Sequence, residues 1–212
     1  MKLLQYCLIS CFFTPLFSYG YAQSKLHPAE TQPIMVEQLA GYQQYPAVVK
    51  QLILAAQKLS EQNLTYLYGS ASPKNAGMDC SGTIYYLLHT LDVTETPRTA
   101  NQIYQWVKQE GHFHAMEGKN SSLMDFSALK PGDLLFWSGT YRSKDNPAIT
   151  HVMLYLGKNQ QGEPLMFGSS DGRTYQGHAL WGVSVFDFLI PRPNSPAKFV
   201  GYGCIPKLTC GI

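Results

Sequence analysis

The chain has 212 residues, of which 45% are hydrophobic, 13% aromatic and 14% charged. That suits one domain of ordinary size with its own core and excludes disorder as the main state, although the charged fraction falls well below the usual ~25%. Sixteen Lys and Arg against fourteen Asp and Glu leave a net charge of +2, too little for the basic face of a nucleic-acid binder.

Residues 1–22 read as a signal peptide. Lys2 is the positive start, Leu3 to Phe17 the apolar stretch, and Gly20 and Ala22 the small residues before a cut at Gln23. The stretch is short for a membrane span and contains Pro15. A lipobox-like Leu8-Ile9-Ser10-Cys11 is the competing signal. No other segment is long and apolar enough to span a bilayer, so an exported protein is expected, in the periplasm or cell envelope or secreted. Cleavage removes Cys7 and Cys11 and leaves Cys80, Cys204 and Cys210. In an oxidising compartment an odd count leaves one thiol over. Cys204 and Cys210 lie six apart and are expected to pair, with Cys80 free.

Residues 23–45 are polar and Gln-rich and read as a loose N-terminal extension, too short for a wall-binding domain of its own. The main domain then runs over 46–212. Pro46 opens a helix to Gln62, in which Val49, Leu52, Ile53, Ala56 and Leu59 recur at helical spacing. After Tyr66, Tyr68 and a Gly/Ser/Pro loop, Asp79 is the expected N-cap of a second helix striped by Ile84, Leu87, Leu88 and Leu91. Pro97-Arg98-Thr99 leads to a third, with Ile103, Trp106 and Val107 on one face. Residues 111–128 show little pattern and read as a loop. From Lys130 the period becomes extended. Strands are expected at 134–137, 149–156, 165–169, 182–188 and 199–205. Helices first and strands second predict an α+β domain with N-terminal helices packed on a central antiparallel β-sheet.

Cys80 is placed to be a nucleophile. At the first turn of a helix, free backbone N–H groups and the helix dipole favour a thiolate, and the same donors can stabilise an oxyanion. Gly82 is expected to keep the approach open. The base must come from elsewhere. His89 lies roughly two and a half turns down the same helix and cannot reach. His27 is in the extension and His178 in a Gly-flanked loop. His112 and His114 form an HxH pair without further Cys or His at metal spacing, so no metal is expected. His151 begins a strongly alternating strand, which fixes its direction.

Four blocks in series, Asp79-Cys80-Ser81-Gly82, Pro97-Arg98-Thr99-Ala100, Pro131 to Phe136 and His151 to Gly157, resemble the NlpC-type cell-wall peptidases, as does Tyr66-Leu67-Tyr68-Gly69. The resemblance covers about Pro46 to Cys204 and implies a papain-like site, needing no cofactor, that cleaves stem-peptide amide bonds of peptidoglycan, often between γ-D-glutamate and a diamino acid. It implies Cys80 as nucleophile and His151 as base. Asp79 and Ser81 would bind a free stem amine, and Tyr66 or Tyr68 would line the cleft and help hold the oxyanion. The family's third residue, which orients the imidazole, aligns with Gly168. Ser170, with the same strand parity, or Asp171, with the better chemistry, is expected to replace it. Two competitors remain: an amidase or acyltransferase of the same thiol architecture, and a non-catalytic wall-binding protein.

Overall fold

The computed structural model describes residues 26–110, 112–116, 124–144 and 148–211. The expected signal peptide lies outside them. Helix α1 spans Ala47–Ser60, with Val49, Leu52, Ile53, Ala56 and Leu59 buried along one stripe. Two short strands, β1 (Thr65–Tyr66) and β2 (Gly77–Met78), pair in parallel and bracket the loop that leads to α2 (Cys80–His89). Helix α3 spans Ala100–Gln109 and opens on a capping box, Thr99 with Gln102. The other strands are β3 (Phe113–Ala115), β4 (Leu134–Ser138), β5 (Ile149–Lys158), β6 (Pro164–Tyr175), β7 (His178–Asp187) and β8 (Lys198–Gly203). They form one antiparallel sheet in the order β3-β8-β4-β5-β6-β7. The α+β arrangement is as expected, with β5 central.

The sheet's two faces bury different material. Val152, Leu154, Leu134 and Phe136 join the three helices in a largely aliphatic core. Met153, Tyr155, Leu135, Trp137, Phe188, Phe199 and Tyr202 form a second core rich in rings and methionine on the other face. Alternation along β4 and β5 produces both, because successive side chains leave a strand on opposite sides.

Three expectations are corrected. The stretch after Gln23 is not loose where it is described. Glu30 pairs with Trp181 through two backbone hydrogen bonds, Val185 N–H donates to Gln32, and Ile34 and Leu39 are buried. It is a strap across β7 and the end of β5. Residues 113–115, read as loop, are the edge strand β3. Strand β6 runs past Ser169 to Tyr175, through a register shift between Asp171 and Thr174. The Cys204–Cys210 disulfide is formed and Cys80 is free.

Candidate active site

Cys80 is the first residue of α2, and the loop before it is held by Asp79. The Asp79 carboxylate accepts from Gly82 N–H (2.5 Å) and Gly69 N–H (2.8 Å). It also accepts from the Ser81 hydroxyl (3.2 Å) and, bidentately, from Arg98, with Nη1 to Oδ1 at 3.1 Å and Nη2 to Oδ2 at 2.8 Å. Arg98 Nη1 also donates to Ser81 Oγ at 3.0 Å. These five contacts fill the roughly four lone-pair positions of a carboxylate. Asp79 is thus an N-cap and a salt-bridge partner whose acceptor capacity is used within the protein. Arg98 was visible in the sequence only as part of a motif; its pairing with Asp79 needed the fold.

Gly82 does more than leave space. A Cβ there would run into the Ser70 carbonyl oxygen and crowd Ala71 Cα and Asp79 Oδ1, both at 2.9 Å. Only glycine lets the first turn of α2 sit this close to the loop.

The Cys80 thiol packs against β5. Its Sγ donates to the Thr150 carbonyl at 3.9 Å, and the residue is 6% exposed. Thr150 Oγ1 in turn accepts from Thr140 N–H (3.0 Å) and the Thr140 hydroxyl (2.8 Å), and Ile149 N–H donates to Asn101 Oδ1 (3.3 Å) on α3. Helix α3 thus anchors the start of the strand that carries His151. The expected depression of the thiol pKa is absent. Burial first, and the Asp79 charge second, push it up to about 11, against smaller opposing effects of the Val152 and Ser81 N–H groups and Arg173.

His151 is 7% exposed and stands across the ladder from Trp137, its ring 5.7 Å from the indole. Its Nε2 accepts from Arg173 Nε at 3.1 Å. Burial first, then the Arg173 charge, hold the imidazole pKa well below its usual range. The Arg173 guanidinium also lies over the Trp137 ring at 4.3 Å. No Cys80–His151 hydrogen bond exists among the described residues.

The expected orienters lie on the same wall. Gly168 is followed by Ser169, which faces the helix side and donates to the Met78 carbonyl at 2.7 Å. A Cβ on Gly168 would collide with the Met153 sulfur. Ser170 is buried and Asp171 exposed, and both line the cleft with His151. Neither is hydrogen-bonded to His151 among the described residues; Arg173 is. Parity along β6 could not reveal it, because the chain shifts register at Gly172, whose φ is +124°. The Asp171-Gly172 pair was the one signal available.

The cleft has a volume of about 830 Å³ and is also lined by Tyr66, Tyr68 and Tyr141. Tyr68 is 71% exposed and meets Tyr141 edge-on at 6.1 Å. Tyr66 is half-buried, and burial, with the Cys80 charge next, raises its pKa. Its hydroxyl has no hydrogen-bond partner among the described residues. His89 Nδ1 donates to the Tyr85 carbonyl, and His114 stacks on Tyr202, so neither joins the site. His112 comes within 4.8 Å of both Cys204 and Cys210, a proximity that sequence spacing did not reveal. Those sulfurs are bonded to each other and are not thiolates.

The NlpC/P60 family profile matches residues 63–175. Murein DD-endopeptidase MepH of Escherichia coli is 32% identical over 114 residues, 53% of this chain and 36% of that protein. A gamma-DL-glutamyl hydrolase of Bacillus subtilis is 29% identical over 137 residues, 61% of this chain and 28% of that protein. The match therefore spans about a third of the length of these curated relatives. A solved structure from Staphylococcus aureus, described as similar to a lipoprotein of the NLP/P60 family, is 22% identical, with a TM-score of 0.43 over 67% of this chain and 43% of that one. The family match covers more than half of the chain and includes the loop before α2, the thiol and the strand behind it: this protein belongs to the NlpC/P60 family.

Proposed function

We propose that this chain is an exported cysteine endopeptidase acting on the stem peptides of peptidoglycan, with Cys80 as nucleophile and His151 as general base. The observation that carries this reading is a free thiol at the N-terminus of α2, packed on the strand segment that bears His151, where Thr150 and His151 of that segment line a cleft large enough for a peptide. Cys80 Sγ gives its proton to the imidazole and attacks the scissile carbonyl carbon. The oxyanion that forms is met by backbone N–H groups at the start of α2, with the Tyr66 hydroxyl as an added donor. The imidazolium returns the proton to the leaving amine as the C–N bond breaks. Water, activated by the same imidazole, then hydrolyses the thioester.

The bond proposed is the one between γ-D-glutamate and the diamino acid, in keeping with the name of the Bacillus subtilis relative. A second reading is a bond between two D-centres, as the name of the Escherichia coli relative describes. The saturation of Asp79 favours it, because an amine anchor for a free stem N-terminus would have to displace Arg98 or a backbone N–H.

Mass spectrometry of purified peptidoglycan after digestion tests both. Cleavage after γ-D-glutamate leaves disaccharide-dipeptides, whereas cleavage between D-centres converts cross-linked dimers to monomers. Cys80→Ala and His151→Ala are each expected to reduce either product by roughly 10⁴-fold or more, since the two groups act as one unit. Retention of normal turnover by folded Cys80→Ala would end the proposal.

A further inference from the structure

The site just described is held out of its reactive state by its own hydrogen bonds. The Cys80 S–H is spent on the Thr150 carbonyl, and the imidazole is spent on Arg173. A guanidinium can only donate. The Arg173 contact therefore requires a lone pair on His151 Nε2, and a neutral ring then carries its proton on Nδ1. In that tautomer Nδ1 cannot take a proton from the thiol. Nor can the imidazolium form in place, because its Nε2–H would face the Arg173 Nε–H. In the usual arrangement a carbonyl or carboxylate oxygen accepts from the imidazole and stabilises its cationic form. Here the polarity of the third contact is reversed.

The other end of Arg173 is unspent. Its Nη1 and Nη2 have no hydrogen-bond partner among the described residues, although the side chain lines the cleft. Stacking on Trp137 keeps it largely out of water. Arg192, exposed on another part of the rim, also has no side-chain partner among the described residues. A half-buried guanidinium with two free donors on one edge is the usual receptor for a carboxylate.

We propose that Arg173 is the carboxylate-binding residue of this cleft and that its capture by a substrate carboxylate releases His151, so that proton transfer from Cys80 takes place only on a carboxylate-bearing peptide. Arg173 is in this sense a positioning and specificity residue, and the inference rests on Cys80 and His151 being the reacting pair. On release, the neutral ring exchanges its proton from Nδ1 to Nε2 through solvent, with no net change. The Cys80 proton then moves to Nδ1, giving thiolate and imidazolium. Ser170 and Asp171 line the same wall and offer oxygens to the exposed Nε2–H. Arg173 is the charged group that acts on the ring; Tyr66, Tyr141, Asp171, Asp187 and Arg192 line the same cleft, and Cys80, Asp79, Asp171 and Tyr141 act on Tyr66. The raised thiol and depressed imidazole pKa values agree with a neutral resting pair.

Among the described cysteines Cys80 is the free thiol and the other two are bonded, so in a chain without Cys7 and Cys11 alkylation by iodoacetamide reads its ionisation. The wild-type chain should react slowly at about pH 6.5 and gain rate only as a buried thiol ionises at alkaline pH. Arg173→Lys, still donor-only, should keep that profile. Arg173→Gln supplies an acceptor oxygen, and Arg173→Ala removes the donor. Either should raise the rate at about pH 6.5 by tenfold or more, which corresponds to about one unit in apparent thiol pKa. Equal or slower alkylation in folded Arg173→Gln and Arg173→Ala would overturn the lock.

Binding provides the second arm. In a Cys80→Ala background, a stem tripeptide with a free C-terminal carboxylate should bind about tenfold tighter than its amide, as a charge-assisted bidentate contact predicts. Arg173→Gln should erase that preference, and its persistence would overturn the carboxylate role. Neither arm needs hydrolysis. If both succeed and the wild-type chain cleaves no peptidoglycan, the proposed function falls and Arg173's role stands.

Discussion

The two sides of the candidate site, the start of α2 and the β5–β6 strands, are built to different standards. On the α2 side, Asp79 gathers five donors from three parts of the chain, and Gly82 lets the helix close on the loop with no room to spare. On the β5–β6 side, His151 has a single side-chain hydrogen bond among the described residues, to an arginine that follows a register shift. A fully satisfied buried network fixes one geometry, whereas a lone contact at a bulge allows two. The position of the Cys80 thiol is thus a property of the fold, whereas the His151 ring is held by one contact.

Breaking the α2 side should have the largest effect. Gly82→Ala drives a methyl group into the Ser70 carbonyl, where backbone must move. The expected loss is about 3 kcal/mol of stability or more, read by denaturant unfolding, with most of the chain insoluble on expression. A fully soluble variant of wild-type stability would show that the loop is softer than its hydrogen bonds imply.

Arg98→Ala comes next. It leaves a largely buried Asp79 with its backbone and Ser81 donors only. The loss should be about 2 kcal/mol, between the ~1 of an exposed pair and the ~3–5 of a fully buried one. Turnover should fall roughly 100-fold, because the first turn of α2 can then shift by a fraction of an ångström. Cys80 alkylation separates a displaced thiol from an unfolded one. Unchanged turnover would remove Arg98 from the site's support.

The smallest effect is expected on the β5–β6 side. Ser170→Ala and Asp171→Asn should each lower turnover by less than about tenfold, because either oxygen can serve the released imidazole in place of the other. A hundredfold drop in one of them would identify a fixed third member and make the two sides alike.

The α2 side was also the more legible one. Asp79 before an apolar stripe announces a capped helix, and the spacing of Val49, Leu52, Ile53, Ala56 and Leu59 announces α1, because both signals are local. The alternation of β5 likewise placed His151 and Met153 on one face. What escaped was non-local or made by backbone alone. The strap is held by bonds such as Glu30 to Trp181, which leave no compositional trace. Strand β3 is three residues long at an edge, with only Phe113 half-buried, so no alternation marks it. Strand β6 read as ending at Ser169 because Asp171-Gly172 has the composition of a turn. That same pair hid Arg173, since a parity count stops being valid where the register shifts. Gly82 was legible as a glycine of consequence, but the neighbour that demands it, the Ser70 carbonyl, was not.

Trp137 has a practical meaning for anyone wishing to watch this protein work. The indole is fully buried, its Nε1 has no hydrogen-bond partner among the described residues, a guanidinium sits on one face and the imidazole meets it from the next strand. Indole emission responds to charges at that range, and a protonated imidazole quenches it. Of the chain's three tryptophans, Trp106 lies on α3 and Trp181 stacks on His27 in the strap. With those two replaced by phenylalanine, the remaining emitter would be a built-in gauge. Its brightness would track the departure of one charge and the arrival of another, turnover by turnover, without any label.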